Sequence, residues 1–360
     1  MRGSVRPGRS LRALLAFLIA GWLLAALVVP VWAQAEEEKA GLAHHDEAVD
    51  EAIERGLAYL ADKQDDDGSF PSGWGKNTGI TSLCVMAFLA KGYTPGDHEY
   101  GQVIDKGLDF VLASRKPNDM LVGPGASHGP MYGHTISTLM LSEVSGMVDP
   151  ERQKAISEVL PKALRVILAA QQVPKLERYQ GGWRYQSNST DSDISCTGWP
   201  LMSLRSARNN GASVPKEAIE YALEFVMRCR TSDGGFAYQP GGGAGVARTG
   251  VALLCFELCG LHRDEVALAA GDWVLGHLQR SPNESYFYYG LYYCAQGMYQ
   301  LGDDYWERYA THMYEMMLKL QRQDGSWPAG SEKREGECYA TAMAALALSV
   351  PCCQLPIYQR

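Results

Sequence analysis

The sequence predicts an all-α fold, an (α/α)6 toroid in which six helical hairpins form an inner and an outer ring. Three observations predict it. From residue 45 to residue 350 the chain divides into six similar units of about 40–60 residues, a period typical of repeat architectures. Each unit pairs an amphipathic helical stretch with one that is apolar nearly all round. Glycine accounts for 38 of 360 residues, above the usual ~7%, and recurs between the helical stretches.

The first 35 residues differ from everything that follows. Arg2, Arg6, Arg9 and Arg12 precede an apolar run over about residues 13–33, which ends in an Ala-Gln-Ala sequence at residues 33–35. This order is typical of a secretory signal peptide. The run also approaches the ~20 residues that span a bilayer, so an uncleaved anchor stays open. We expect an exported protein, periplasmic or secreted, or membrane-anchored where the segment is not cleaved, with an acidic linker over residues 36–44.

Charge excludes one class of partner. The whole chain has a formal net charge of −8, and residues 1–35 hold four arginines and no acidic residue, so the remainder carries −12. Affinity for nucleic acid depends on neutralising phosphates with Lys and Arg. We therefore expect no nucleic-acid binding, and membrane contact only through an uncleaved N-terminal segment.

The amphipathic stretches are predicted as the outer helices. In the first unit, Val49, Ile53, Leu57 and Leu60 recur at helical spacing, and acidic residues occupy the other face. The corresponding apolar residues of the next five units are Ile104, Leu108 and Val111; Ile156, Leu160, Leu164 and Ile167; Ile219, Leu223 and Val226; Val266, Ala270 and Trp273; and Trp306, Tyr309, Met313 and Met317.

The second stretch of each unit is predicted as an inner helix, because a helix without a polar face must be covered on every side. The six predicted inner helices are Thr81–Ala90, Thr135–Val144, Thr197–Ala207, Thr249–Cys259, Leu291–Leu301 and Thr341–Val350. The nine cysteines fall mostly in these stretches, so we expect most of them to be core residues. Residues 351–360 are predicted as a coil across the barrel, since Pro351 and Pro356 oppose another helix.

Glycine-rich turns with an aromatic residue join the two helices of a unit. Glycine permits the positive φ that ends a helix, and the aromatic ring covers the end of the hairpin. The turns of the second and fifth units, around residues 121–125 and 285–289, are degenerate. The four clear turns are Asp67-Gly68-Ser69-Phe70, Gly181-Gly182-Trp183, Asp233-Gly234-Gly235-Phe236 and Asp324-Gly325-Ser326-Trp327.

Three of these turns follow a glutamine: Gln64 before Phe70, Gln180 before Trp183 and Gln321 before Trp327. This pattern resembles the Gln-Trp repeats of squalene and oxidosqualene cyclases and of protein-prenyltransferase β-subunits, over residues 45–350. The resemblance implies a toroid whose central cavity accepts a hydrophobic, isoprenoid-like ligand. It implies a fold more firmly than a reaction, because one fold hosts many functions.

The starts of the inner helices carry the candidate chemistry. Thr81, Thr135, Thr197, Thr249 and Thr341 recur there and are interpreted as N-terminal caps. His134, Cys196 and Arg248 each precede one of these threonines, and Asp193 lies four residues before Thr197. Polar and reactive residues therefore gather in the second, third, fourth and sixth units.

A cyclase is one interpretation of these residues. Triterpene cyclases have an Asp-x-Asp-Asp-Thr-Ala motif whose middle carboxylic acid is the general acid. In the similar segment Asp191–Thr197, Ser195 and Cys196 stand where the paired carboxylates belong. The acid motif is therefore absent.

Zinc is a second interpretation. Protein prenyltransferases place an Asp, a Cys and a His at neighbouring inner helices, and the resemblance implies His134, Asp193 and Cys196 as ligands. All three are residue types that bind zinc and would leave a fourth position open. The alternative is that each has a structural role.

A glycan-processing enzyme is a third interpretation. Tyr286, Tyr288, Tyr289, Tyr292 and Tyr293 crowd the start of the fifth inner helix and offer flat faces with polar tips. In a polysaccharide lyase, Arg248 would neutralise a uronate, His134 would act as the base and a tyrosine as the acid. The candidate catalytic residues are His134, Asp193, Arg248 and Tyr288. A non-catalytic binding or scaffold protein remains the alternative to both enzymes, and a barrel filled with side chains would favour it.

Overall fold

The computed structural model describes residues 31–125 and 128–358. The chain divides into two compact units, Met1–Glu47 and Ala48–Arg360. Residues 1–30, which hold most of the predicted signal peptide or anchor, lie outside the described residues. Helix α1 (Val31–Lys63) is continuous through residues 36–44, which were expected to form a linker. Among the described residues, no helix combines the length and the apolarity needed to cross a bilayer.

Twelve α-helices and three short 3-10 helices make up the regular structure of the described residues, and the predicted all-α toroid is confirmed. The odd-numbered helices are the amphipathic ones, each of which buries one face. After α1 they are α3 (Gly101–Ala113), α5 (Pro150–Gln171), α7 (Lys216–Arg228), α9 (Glu265–Gly276) and α11 (Asp303–Leu320).

The even-numbered helices form the inner ring. Each contacts the next in chain order, and the last contacts the first, which closes the ring. Every residue of the first inner helix from Thr78 to Ala90 is buried, as expected of a helix covered on all sides. The inner helices are α2 (Thr78–Lys91), α4 (Pro130–Val144), α6 (Ile194–Asn209), α8 (Val246–Leu258), α10 (Phe287–Leu301) and α12 (Glu337–Leu348).

The repeated threonines are not helix caps, because the inner helices begin three to five residues before the predicted starts. Asn77 and Asp193 cap α2 and α6 instead, and their side chains accept backbone N–H groups of the first turn. The threonine hydroxyl accepts the backbone N–H of the ring-bearing turn residue in four units, which ties each turn to its inner helix. These pairs are Phe70 with Thr81, Trp183 with Thr197, Phe236 with Thr249 and Trp327 with Thr341.

A glutamine joins consecutive units of the ring. The amide of Gln64 donates to the carbonyl of Gly68 in its own turn at 3.1 Å and to that of Val103 in the next outer helix at 2.8 Å. Gln321 repeats this pattern with Gly325 at 2.9 Å and Ala52 at 2.7 Å. Because Ala52 lies on α1, the glutamine of the sixth unit connects it to the first.

In the third unit, Gln171 takes this role, and the assignment of Gln180 was wrong. The Gln171 amide donates to the carbonyls of Gly181 and Ala218, both at 2.8 Å. Gln180 lies beside the turn, where its side-chain oxygen accepts the Tyr221 hydroxyl at 2.9 Å. An additional short 3-10 helix, Glu177–Tyr179, separates Gln171 from its turn.

The C-terminal segment crosses the end of the ring at which the inner helices finish, here called the base. It forms two 3-10 turns, Val350–Cys352 and Pro356–Tyr358, and not only a coil. The first turn contacts α2, α10 and α12, and the second contacts α6. Leu355 and Ile357 are buried against the base. Six of the nine cysteines are buried and none forms a disulfide within the described residues, in agreement with a core role.

Candidate functional site

The end of the ring at which the inner helices begin, here called the mouth, carries the predicted site residues. His134 is fully buried in the first turn of α4. Its Nδ1 accepts the backbone N–H of Leu121 at 3.1 Å, so its Nε2 carries the proton and donates to the carbonyl of Ala163 at 3.1 Å. Burial lowers the pKa of His134 to about 4, so the ring is neutral. By accepting the Leu121 N–H, the His134 ring thus holds the turn of the second unit, as a threonine hydroxyl holds the turns of four other units.

Asp193 and Cys196 lie together at the start of α6. One carboxylate oxygen of Asp193 caps the helix by accepting the Cys196 backbone N–H at 2.8 Å, and the other accepts Nη1 of Arg184 at 2.7 Å. Burial raises the pKa of Asp193 and that of the Cys196 thiol. Both carboxylate oxygens are therefore already engaged in holding the turn and the helix.

The predicted zinc ligands are not brought together. Within residues 31–125 and 128–358, no three His, Cys, Asp or Glu side chains form a group that could hold a metal ion. Both ring nitrogens of His134 are occupied by backbone groups, which leaves neither of them for a metal.

The predicted catalytic set is likewise dispersed. Tyr288 is buried, and its hydroxyl donates to the carbonyl of Pro328 at 2.7 Å, in the loop between α11 and α12. Arg248 is half-buried in the first turn of α8, and its guanidinium lies so close to Gly245 that a Cβ there would collide with it. The His134 side chain bonds to the carbonyl of Ala163 on α5. His134, Asp193 and Tyr288 are thus each bonded to a different partner: the carbonyl of Ala163, the Arg184 guanidinium and the carbonyl of Pro328.

Aromatic side chains of α6 and α10 pack against one another in the interior of the ring. Trp199 of α6 stacks on Tyr292 of α10, with centroids 5.2 Å apart and planes at 22°, and meets Tyr293 edge-on at 5.2 Å. Since α8 lies between α6 and α10 in the ring, these contacts cross the interior. The three side chains are 1% exposed or less.

Tyr289 completes this cluster near the mouth, where its hydroxyl donates to the carbonyl of Ser195 at 3.0 Å. One enclosed cavity of about 10 Å³ lies away from the axis, between α8, α10 and α11, and has room for about one water molecule. The ligand-sized central cavity that the family resemblance implies is not found where these aromatic side chains pack.

A row of partly exposed rings lies at the mouth and was missed by sequence reasoning. It consists of Trp74, His128, Tyr185 and Tyr238, one from each of the first four units, and is called the aromatic row. The ring centroids of Trp74 and His128 are 5.2 Å apart, and those of His128 and Tyr185 are 5.8 Å apart. The hydroxyls of Tyr185 and Tyr238 share a hydrogen bond.

Polar groups border the aromatic row. Arg184 lies 4.5 Å from the Tyr185 ring and 5.3 Å from the Tyr238 ring, and pairs with Asp191 at 3.1 Å. At the other end, the exposed Arg334 lies 4.8 Å from the Trp74 ring. The indole N–H of Trp74 is buried and has no hydrogen-bond partner among the described residues. The row thus combines flat apolar faces with an exposed guanidinium, that of Arg334.

A model of the prenyltransferase alpha-alpha toroid domain matches residues 136–283 and 276–355, which together make up more than half of the chain. No curated protein matches the chain in sequence.

Several solved structures share the fold. A glycosidase variant is 15% identical, with a TM-score of 0.57 over 87% of this chain and 99% of that chain. A possible member of the GH105 family from Salmonella enterica is 13% identical, with a TM-score of 0.57 over 84% of this chain and 93% of that chain. A variant of the type II terpene cyclase MstE from Scytonema, bound to its product merosterolic acid A, is 13% identical, with a TM-score of 0.57 over 85% and 98%. At these identities the likeness establishes the fold.

Proposed function

The chain belongs to the prenyltransferase alpha-alpha toroid domain family, and from this premise we propose that it binds a glycan at its mouth. The aromatic row carries the proposal. Sugar rings have flat C–H faces that pack on aromatic rings, and hydroxyl edges that bond to polar tips such as those of Tyr and Trp. Rings from four consecutive units suit an extended chain of sugars better than one compact molecule.

The groups beside the row supply the polar half of such a site. The exposed guanidinium of Arg334 is a donor available to sugar oxygens, and the hydroxyls of Tyr185 and Tyr238 are polar tips within the row. Arg184 is held by Asp191 and Asp193, so its role is to keep Tyr185 and Tyr238 in place. A ligand site with a few fixed polar groups among aromatic side chains is typical of small-molecule recognition.

The packed interior argues against the alternative of an isoprenoid ligand inside the barrel. An isoprenoid chain needs an enclosed apolar site of several hundred Å³, and Trp199, Tyr292 and Tyr293 occupy the space where the family resemblance predicts one. Ser195 and Cys196 also leave the start of α6 without the acid that a cyclase needs. Structural neighbours include a glycosidase as well as terpene cyclases, so the fold permits either ligand.

The proposal is tested by titrating the purified protein with a panel of neutral and acidic oligosaccharides in a calorimeter. We expect Tyr185→Ala and Trp74→Ala to weaken binding of the best oligosaccharide by about tenfold or more, because each removes a stacking face. Trp273→Ala is the matched control, since Trp273 stacks on His277 at 3.8 Å on α9, outside the row.

Two results would contradict the proposal. One is the absence of binding across the panel; a prenyl lipid retained through purification and identified by mass spectrometry would then favour the isoprenoid alternative. The other is an oligosaccharide affinity that Trp273→Ala lowers as much as Tyr185→Ala. Appearance of cleaved or unsaturated products on the same panel would extend the proposal from binding to catalysis.

A further inference from the structure

Helix α10 has no cap of its own. The residue before it, Tyr286, is in the left-handed conformation with φ 57°, is 67% exposed, and makes no side-chain hydrogen bond to the first turn. The first N–H groups of a helix need acceptors from elsewhere. These N–H groups matter because the same turn carries Tyr289, whose hydroxyl reaches Ser195 on α6.

Glu332, in the loop between α11 and α12, supplies the missing acceptor. Its two carboxylate oxygens accept the backbone N–H groups of Tyr288 at 2.8 Å and of Tyr289 at 3.2 Å. These are the second and third residues of α10, whose N–H groups an N-cap side chain ordinarily satisfies. The same carboxylate accepts the hydroxyl of Tyr339, on α12, at 3.3 Å.

We propose that Glu332 is the positioning residue of the mouth: it caps α10 from another unit and so fixes Tyr289 and Tyr339, at the starts of α10 and α12, for contact with the ligand. The inference rests on the proposed glycan site, whose affinity then depends on this carboxylate. Glu332 is 5% exposed, so it acts on the ligand through the two tyrosines.

The charge state of Glu332 makes the inference testable through its pH dependence. Burial raises the pKa of Glu332 to about 7, and the negative charge of Glu335 adds to the rise. The other groups that face it are the hydroxyl of Tyr339 and the N–H groups of Tyr288 and Tyr289. An ionised carboxylate accepts N–H groups more strongly than a neutral carboxyl. While Glu332 stays buried, its capping bonds therefore strengthen as the pH rises through about 7. Because its pKa is raised overall, exposure of Glu332 to water also becomes easier over the same pH range.

The experiment compares Glu332→Gln with Glu143→Gln. Glu143 is the matched control, because burial raises its pKa to about 7 as well, and it accepts the Ile357 N–H at 2.9 Å at the base. We expect the best oligosaccharide to bind the native protein several-fold more weakly at pH 6 than at pH 8. Glu332→Gln should bind about tenfold more weakly at pH 8, with the pH difference lost, whereas Glu143→Gln should keep the native profile.

A measurement without ligand separates this inference from the proposed function. Amide hydrogen exchange at Tyr288 and Tyr289, corrected for intrinsic rates, should be faster in Glu332→Gln than in the native protein at pH 8. If no oligosaccharide binds, the proposed function fails while exchange still decides the positioning role. Unchanged protection in Glu332→Gln, or equal effects of the two glutamine variants, would overturn the inference.

A milder variant covers failure of Glu332→Gln to fold. Tyr339→Phe deletes the hydroxyl bond to Glu332 and leaves the cap of α10 intact. We expect native protection of Tyr288 and Tyr289 but affinity reduced several-fold. Native affinity in this variant would show that the position of Tyr339 does not affect the ligand, and would contradict the inference as stated.

Discussion

The two ends of the barrel hold similar buried carboxylates in different surroundings. At the base, Glu143 binds the Ser206 hydroxyl and the Ile357 N–H, and the C-terminal segment lies across it. At the mouth, Glu332 binds the first turns of α10 and α12. The C-terminal segment lies across the base, whereas the mouth leaves aromatic faces partly exposed. The comparison teaches that one carboxylate holds the chain's own terminus, while the other lies at the end of the inner helices where we propose ligand binding.

The largest expected effect is a difference in the free energy of unfolding between two tryptophan variants. Trp183 is 1% exposed, and its indole N–H donates to the carbonyl of Ile167 at 2.8 Å, whereas Trp74 is half-exposed at the mouth. Trp183→Ala should lower the free energy of unfolding by about 3–5 kcal/mol, because it leaves a cavity under the turn. Trp74→Ala should cost about 1 kcal/mol or less. Urea unfolding measures both, and equal losses would break the distinction between a structural ring and a ligand-facing ring.

The pH dependence of stability tests the base. The pKa of Glu143 is about 7 in the folded protein against an ordinary value of 4.5, so between these pH values the folded state binds more protons than the unfolded state. The free energy of unfolding contributed by Glu143 therefore falls as the pH rises from about 4.5 to 7, by an amount on the order of 3 kcal/mol.

Glu143→Gln should reduce this dependence, because a neutral amide does not titrate, and the part contributed by Glu332 should remain. The check is the urea midpoint of the native protein and the variant at pH 5.5 and pH 8. A native midpoint that is higher at pH 8, or a variant with the native dependence, would show that Glu143 is ionised without penalty at the base.

The smallest expected effect concerns the glutamines of the third unit. Gln171→Ala removes two bonds from a buried amide to the carbonyls of Gly181 and Ala218, and should cost about 1–3 kcal/mol. Gln180→Ala removes a bond to the partly buried Tyr221 hydroxyl and should cost about 0.5 kcal/mol. Thermal unfolding of the two variants decides the order, and a greater loss at Gln180 would restore the assignment made from the sequence.

The sequence predicts the ring of helices because that information is local. Apolar spacing within each unit marks the outer and inner helices, and turn glycines such as Gly68 and Gly325 have the expected positive φ. The second turn is also regular in its backbone, with Asp119 at φ 65° and Leu121 in place of an aromatic residue. The local pattern does not identify Gln171, because the spacing between glutamine and turn glycine differs. Gln171 lies ten residues before Gly181, whereas Gln64 lies four residues before Gly68.

The site was harder to predict because it depends on contacts between units. His134 looks like a ligand in sequence, yet Leu121 and Ala163 occupy its nitrogens only after the second hairpin has folded. The filling of the interior depends on the summed volume of residues from α6 and α10. One sequence signal could have indicated the aromatic row: a second aromatic residue follows the aromatic residue of the turn by two positions. This spacing occurs in Tyr185 after Trp183 and in Tyr238 after Phe236.

The bond from Gln321 to Ala52 has a consequence for the order of the chain. It repeats between the last and first units the link that Gln64 makes between two covalently connected units. The contact between the last and first units is therefore stabilised by the same interaction as a contact between units that are adjacent in the chain. This interaction does not depend on the order in which the units are synthesised. A circularly permuted gene that starts at another hairpin therefore encodes the same set of contacts between units.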